Sequence, residues 1–120
     1  MIKRLATVAV YVESQAEAEK FWIEEVEFEV KRKEQMGPSA SWLEVGPEGG
    51  STNLVIYPRA MMKNWEQMKP SVVFETDDFE LTYGKMKRNG VLFIDEPKEM
   101  AWGTYATFVD EDGNEFLLKG

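Results

Sequence analysis

The chain has 120 residues, the length of one domain, and 43% of them are hydrophobic while 30% are charged. This balance is typical of a globular protein with a packed core and excludes intrinsic disorder. A formal net charge of -8 excludes nucleic acid as a partner, because an acidic surface repels phosphate. The absence of cysteine and histidine excludes disulfides, thiol nucleophiles, imidazole bases and the usual zinc and non-haem iron sites.

The N-terminal residues lead directly into a strand-like run, without the apolar stretch of a signal peptide or a membrane span. We therefore expect a cytoplasmic protein with no membrane partner. Its acidic field would attract cationic small molecules, although the same charge is also an ordinary means of preventing aggregation.

The first half of the chain predicts one helix among four strands. A valine-rich run at residues 5–12 predicts the first strand. Ser14, followed three residues later by Glu17, forms a capping-box pattern that predicts a helix over residues 15–25. Glycine- and proline-rich turns separate three further predicted strands, at residues 27–34, 41–45 and 52–57.

The second half predicts the same order of elements. A strand at residues 71–75 is followed by a helix that begins at a cap, Asp77 or Asp78, and stops at Asn89 and Gly90. The remaining strands are predicted at residues 91–94, 99–102, 105–109 and 115–118.

An offset of 64 residues aligns the two halves, because it pairs Thr7 with Ser71 and Gly49 with Gly113. We interpret this as a duplication, with module one at residues 1–57, a linker at 58–69 and module two at 70–120 of a single domain. The alternative is that two unrelated strand–helix units have turns that coincide by chance.

Three segments carry a resemblance to a known family. They are the strand at residues 7–12 with the Phe21-containing helix, the second start at 71–78, and the run Phe-Val-Asp-Glu-Asp-Gly-Asn at 108–114. Together they resemble the vicinal oxygen chelate superfamily, which includes glyoxalase I, bleomycin-resistance proteins, fosfomycin-resistance enzymes and extradiol dioxygenases. The resemblance implies an α+β fold of two tandem βαβββ modules, whose curled mixed sheets form a concave cleft, usually in a homodimer.

The resemblance also implies where a metal would bind. In the metalloenzymes of the family the ligands, typically His and Glu, come from the first and last strands of each module. Carried over to this chain, those positions are Thr7, Asn53, Ser71 and Leu117, and none is His, Asp or Glu. We therefore expect no metal and no cofactor. This departure resembles the bleomycin-resistance branch, which binds its ligand without metal.

Strand alternation assigns the candidate ligand-binding residues to the sheet faces that lie away from the helices. This face mixes hydroxyl, amide and aromatic groups, which suits a ligand surface with a few polar anchors. The candidates are Thr7, Tyr11, Trp42, Asn53, Tyr57, Ser71, Glu75, Trp102 and Tyr105.

Several of these assignments have a second interpretation. Trp42, Trp102 and Tyr105 offer planar contact surfaces, but aromatic residues also pack in cores and interfaces. Glu75 is a weak candidate for a proton acceptor and is equally explained as a solvated rim carboxylate. Alternation does not decide which face carries Glu44.

The segment at residues 110–114 resembles a calcium loop in composition but lacks the ligand spacing of one. We interpret it as a hairpin turn in which Gly113 and Asn114 adopt positive φ.

The first functional hypothesis is a metal-independent homodimer that binds an aromatic or cationic compound such as an antibiotic. The alternative is an enzyme of the same superfamily, a lyase, isomerase or dioxygenase, that uses Glu75 in acid–base chemistry or a metal held by Glu44 or Glu99. The third is a structural interaction module whose cleft is filled by its own side chains. The fold alone does not choose among them, because function is determined by the residues of the cleft.

Overall fold

The computed structural model describes all 120 residues, which form two compact units, Met1–Lys69 (unit 1) and Pro70–Gly120 (unit 2). The elements of unit 1 are β1 (Thr7–Val12), α1 (Gln15–Lys20), a π-helical turn (Phe21–Glu25), β2 (Glu29–Gln35), β3 (Ser41–Gly46), β4 (Asn53–Pro58) and two short 3₁₀ turns (Arg59–Met61 and Trp65–Gln67). The elements of unit 2 are β5 (Val73–Glu75), α2 (Phe79–Arg88), β6 (Leu92–Phe93), β7 (Lys98–Met100), β8 (Gly103–Val109) and β9 (Glu115–Lys119).

The two units share one topology. The sheet of unit 1 has the order β1-β4-β3-β2, and that of unit 2 has the order β5-β9-β8-β6, with β7 also paired to β8. In each sheet the first strand runs parallel to the last, and the other pairs are antiparallel. The expected α+β fold with two βαβββ arrangements is therefore confirmed.

One face of each sheet is packed into a core. In unit 1 the strand residues that face the helix, with Trp22 after α1, are fully or almost fully buried. In unit 2 the ring of Phe108 lies 5.5 Å from that of Phe116 and 6.0 Å from that of Phe74. Burial of each such side chain contributes about 1.5–3 kcal/mol to folding. The buried side chains of unit 1 include Val10, Val12, Trp22, Leu43, Val45 and Ile56.

Both helices begin where their caps predict. The backbone N–H of Glu17 donates to Ser14 Oγ at 3.2 Å, and that of Leu81 donates to Asp78 Oδ1 at 3.1 Å. The first helix keeps α-geometry only to Lys20 and continues as the π-helical turn. Gly90, with φ of 105°, ends α2, as expected.

The strand register corrects one expected correspondence. Thr7 pairs with Asn53, and Val73 pairs with Leu117, so the position of Thr7 in unit 2 is held by Val73 and not by Ser71. The shift is two residues, which leaves every side chain on its expected face because the period of a strand is two.

The turn between β8 and β9 corrects another expectation. Gly113 has φ of 80°, but Asn114 does not adopt positive φ. Asn114 is instead buried, and its Nδ2 donates to Asp110 Oδ2 at 2.9 Å. Asp110 Oδ1 also accepts hydrogen bonds from the backbone N–H groups of Asp112 and Asn114. Burial raises the pKa of the Asp110 carboxyl, while these hydrogen bonds oppose the rise.

Neither helix combines the length and the apolar character that crossing a membrane requires.

Candidate functional site

The face of the unit 1 sheet opposite its core carries a row of three aromatic rings, Trp42, Tyr57 and Tyr11. Tyr11 and Tyr57 are direct partners in the register of β1 and β4, and their ring centroids lie 6.0 Å apart. The ring of Trp42 lies 6.3 Å from that of Tyr57. Both contacts are edge-to-face, and all three side chains are half-buried. This aromatic row leaves ring surface open to a ligand.

A carboxylate lies beside the aromatic row. Glu44, two residues after Trp42 in β3, points to the same face, and its side chain is only 12% exposed. Its Oε2 accepts a hydrogen bond from Trp42 Nε1 at 2.7 Å, and its Oε1 accepts one from Asn53 Nδ2 at 3.0 Å. Three neighbouring strand positions thus form one hydrogen-bonded group, which we call the Glu44 cluster.

The hydrogen bond from Trp42 is the main reason that the pKa of Glu44 is lowered, and burial opposes it. Asn53 and the positive charge of Arg32 lower the pKa further. An Arg32 nitrogen lies 3.9 Å from Glu44 Oε2 but only 2.9 Å from Glu34 Oε2. Glu44 is therefore ionised at neutral pH, and a carboxylate with a lowered pKa is a poor proton acceptor.

The amide of Asn53 leaves one polar atom without a partner. Its Oδ1 is buried and accepts no hydrogen bond. A Cβ at Gly46 would lie 2.8 Å from this oxygen, so the glycine provides the space that Asn53 occupies. The Glu44 cluster thus depends on the absence of a side chain at Gly46, in the strand β3 that neighbours Asn53.

In unit 2 the corresponding face bears an open groove of about 340 Å³. The indole of Trp102, which is 67% exposed, forms part of its wall together with half-buried Tyr105. Met100 and Leu117 add apolar surface, and the polar lining comes from Asp95, Lys98 and Thr107. The groove is suited to a flat apolar group with one or two polar substituents.

Ser71 and Glu75 lie outside the Trp102 groove. Ser71 lines a second groove of about 270 Å³, which shares Thr107 and Leu117 with the first. Glu75 is 73% exposed and forms an ion pair with Lys119 at 3.6 Å. This geometry matches a solvated rim carboxylate, and an exposed pair of this kind contributes at most about 1 kcal/mol.

The residues at the family's metal positions do not fit a metal. Thr7 and Asn53 in unit 1 offer a hydroxyl and an amide, and Val73 and Leu117 in unit 2 offer no donor atom. The neighbours Trp42 and Asn53 present N–H donors to Glu44, whereas a metal ion needs further oxygen or nitrogen ligands. No three Asp or Glu side chains are grouped so that they could hold a metal ion.

Sequence reasoning did not assign the side chain of Glu44 to either face of the sheet. It lies between Leu43 and Val45, which are buried in the core. Glu44 and Trp42 are two residues apart in one strand, so their side chains lie on the same face. The indole N–H of Trp42 can donate to a carboxylate there, and this was the signal that could have placed Glu44 on the open face.

Comparison with known proteins gives the family. The profile of the Glyoxalase/Bleomycin resistance protein/Dioxygenase superfamily matches residues 4–118. The chain is 60% identical to the uncharacterized protein YetH of Bacillus subtilis (strain 168) over 119 residues, 99% of each chain.

Solved structures agree with this match. The crystal structure of UcmS2 superimposes with a TM-score of 0.86 at 28% identity, covering 99% of this chain and 98% of that one. TnmS3, an antibiotic binding protein from Streptomyces sp. CB03234, gives a TM-score of 0.81 at 31% identity, covering 98% and 95%. The chain therefore belongs to the glyoxalase/bleomycin resistance protein/dioxygenase superfamily.

Proposed function

We propose that this protein is a metal-independent binding protein for an aromatic or cationic small molecule such as an antibiotic. The observation that carries the proposal is the Trp102 groove, where an indole that is two-thirds exposed stands beside Tyr105, Met100 and Leu117. An exposed tryptophan at an apolar groove offers a large contact area at a low cost in conformational entropy.

The similarity to TnmS3 supports an antibiotic as the ligand. That protein binds an antibiotic, and the similarity extends over nearly the full length of both chains. Ligand chemistry is set by the residues of the site rather than by the fold, so the Trp102 groove must supply the contacts in this chain.

The carboxylates favour binding over acid–base catalysis. Glu44 is held as an anion by two donors, and Glu75 is solvated and paired with Lys119. The lowered pKa of Glu44 is the opposite of the shift towards neutrality that a catalytic general acid or base requires.

The proposal includes a homodimer. Unit 2 exposes four aliphatic side chains to more than half of their full extent: Val73 at 51%, Ile94 at 52%, Leu81 at 61% and Leu92 at 63%. Exposed apolar side chains are stabilised when a second surface covers them. We expect native mass spectrometry to give twice the mass of the 13.8 kDa chain, and a monomer at micromolar concentration would contradict this part.

Isothermal titration of the full chain with bleomycin, a basic glycopeptide, tests the binding function. We expect Trp102→Ala to weaken binding about tenfold, equivalent to about 1.4 kcal/mol, because the stacking surface is lost. The matched control is Trp65→Ala, since Trp65 contacts the cations of Arg59 and Lys69 and is not among the residues that line the groove. No heat of binding with the wild type would refute bleomycin as the ligand, and equal affinities for both variants would refute the groove.

A further inference from the structure

Glu44 carries a mostly buried charge, and its ion pair with Arg32 is a long one. Its side chain is 12% exposed, and the nearest guanidinium nitrogen, from Arg32, is 3.9 Å away. Arg32 is itself 54% exposed and makes its shorter contact, 2.9 Å, with Glu34. Burial of a carboxylate normally costs several kcal/mol unless it is paired. The fold therefore holds an anion on its open face mainly through the hydrogen bonds that orient it.

The carboxylate also has unused hydrogen-bonding capacity. Trp42 donates to one oxygen and Asn53 to the other, and both donors are neutral. An ionised carboxylate accepts about four hydrogen bonds, so each oxygen retains a lone pair. The two donors fix the orientation of the group without neutralising its charge.

The aromatic row borders this anion. Trp42 contributes both the indole N–H that orients Glu44 and a ring that contacts Tyr57. Faces of indole and phenol rings attract cations through their quadrupole, by about 0.5–2 kcal/mol. A carboxylate with electron-rich rings at its side favours an organic cation over a neutral molecule or an anion.

We propose that Glu44 and the aromatic row form a subsite for a protonated primary amine carried by an aromatic ligand. The ammonium group donates hydrogen bonds to the free lone pairs of Glu44, and the aromatic part lies against Trp42 and Tyr57. The inference rests on the proposed function and deepens it, because it names the chemical class of ligand that the open face of unit 1 accepts.

Two other uses of Glu44 are less compatible with the same contacts. A proton acceptor requires a raised pKa, and the pKa of Glu44 is lowered. A metal ion requires additional oxygen or nitrogen acceptors, whereas Trp42 and Asn53 present N–H donors. Ammonium needs only an acceptor and an apolar surface, and both are present.

The positive charge of Arg32 affects how tightly the subsite binds an amine. It is the one arginine within 4 Å of Glu44, and its positive charge opposes a bound ammonium group. Because Arg32 already bonds Glu34, it can remain there while the ligand approaches Glu44. Its removal should therefore strengthen binding of an amine.

The test compares benzylamine with benzyl alcohol, which share a ring and differ in charge. Titrations are followed in the ¹H–¹⁵N spectrum of the full chain through the indole N–H signal of Trp42, assigned with Trp42→Phe. We expect the amine to bind about tenfold more tightly than the alcohol. Glu44→Gln should abolish this preference, and Arg32→Gln should increase it.

The matched control is Glu48→Gln, which removes an exposed carboxylate from the turn between β3 and β4 and should leave the preference unchanged. The proposal is overturned if Glu44→Gln retains the preference, or if Arg32→Gln weakens the amine. Equal binding of both probes by the wild type refutes the amine subsite alone. Absence of bleomycin binding, with the amine preference intact, would refute the proposed role of the Trp102 groove and leave the amine subsite in place.

Discussion

The two units have the same topology but different open faces. In unit 1 Glu44 pairs with Val55, and in unit 2 Tyr105 pairs with Lys119. Lys119 is the residue that the offset of 64 aligns with Val55. Glu44 and Tyr105 therefore hold corresponding positions. One is a buried anion that two side chains orient, and the other is a half-buried ring at the wall of a groove.

The core faces differ much less. Both are built from apolar side chains under a helix, and both include residues that are almost fully buried, such as Ile56 and Phe108. The residues on this side of each sheet must be apolar and must pack closely, because the buried layer supplies the stability. The open faces are under no such requirement, so the two units can present different chemistry on one topology.

The helix starts show the same contrast. Gln15, the first residue of α1, donates through Nε2 to the carbonyls of Ser41 and Ile56 at 2.7 and 2.8 Å, and its Oε1 accepts from Ser41 N–H at 3.1 Å. Phe79, the first residue of α2, is buried and stacks on Tyr83 at 5.5 Å. The ring of Tyr83 in turn lies 4.6 Å from that of Phe93 in β6, so the start of α1 is attached to its sheet by hydrogen bonds and the start of α2 through aromatic contacts.

Alanine at each of these two positions tests that contrast and has the largest expected effects. Phe79→Ala should lower the free energy of unfolding by about 3–5 kcal/mol, through lost burial and a cavity. Gln15→Ala should lower it by about 1–3 kcal/mol, because it leaves backbone groups without partners. Urea denaturation measures both losses, and Gln67→Ala, which truncates an exposed side chain, is the control. Equal losses would show that the two attachments are energetically alike.

Local signals in the sequence were enough to predict most of the fold. Caps at Ser14 and Asp78 and the stop at Gly90 act through backbone groups a few residues away, so the pattern and the structure agree. The two-residue shift of Val73 against Leu117 was not predictable, because alternation is unchanged by a shift of two.

The candidate site was only partly predictable for a related reason. Alternation grouped Tyr11 with Tyr57 and Asn53, but the contact between Glu44 and Asn53 depends on how β3 and β4 pair. The spacing of residues along the chain does not determine which residues of β3 and β4 pair. The exposure of Trp102 likewise depends on what packs around β8, which a pattern of residues does not specify.

The smallest expected effect concerns the pH dependence of stability, and it compares the buried carboxylates of the two units. Because the pKa of Glu44 is lowered in the folded chain, its ionised form stabilises the fold above the ordinary glutamate pKa of about 4.3. This contribution is lost as the pH falls through the lower folded value. Acidification should therefore destabilise the wild type relative to Glu44→Gln.

Asp110 should behave in the opposite way. Its pKa is raised by burial, so its ionised form costs stability above the folded pKa, and that cost is removed as the pH falls towards the ordinary aspartate value of about 3.9. Acidification should stabilise the wild type relative to Asp110→Asn. Urea denaturation of the three proteins between neutral pH and about pH 3 measures both differences. Slopes of the same sign would show that the two carboxylates are not in contrasting environments, and the distinction between an oriented anion in unit 1 and a structural turn in unit 2 would fail.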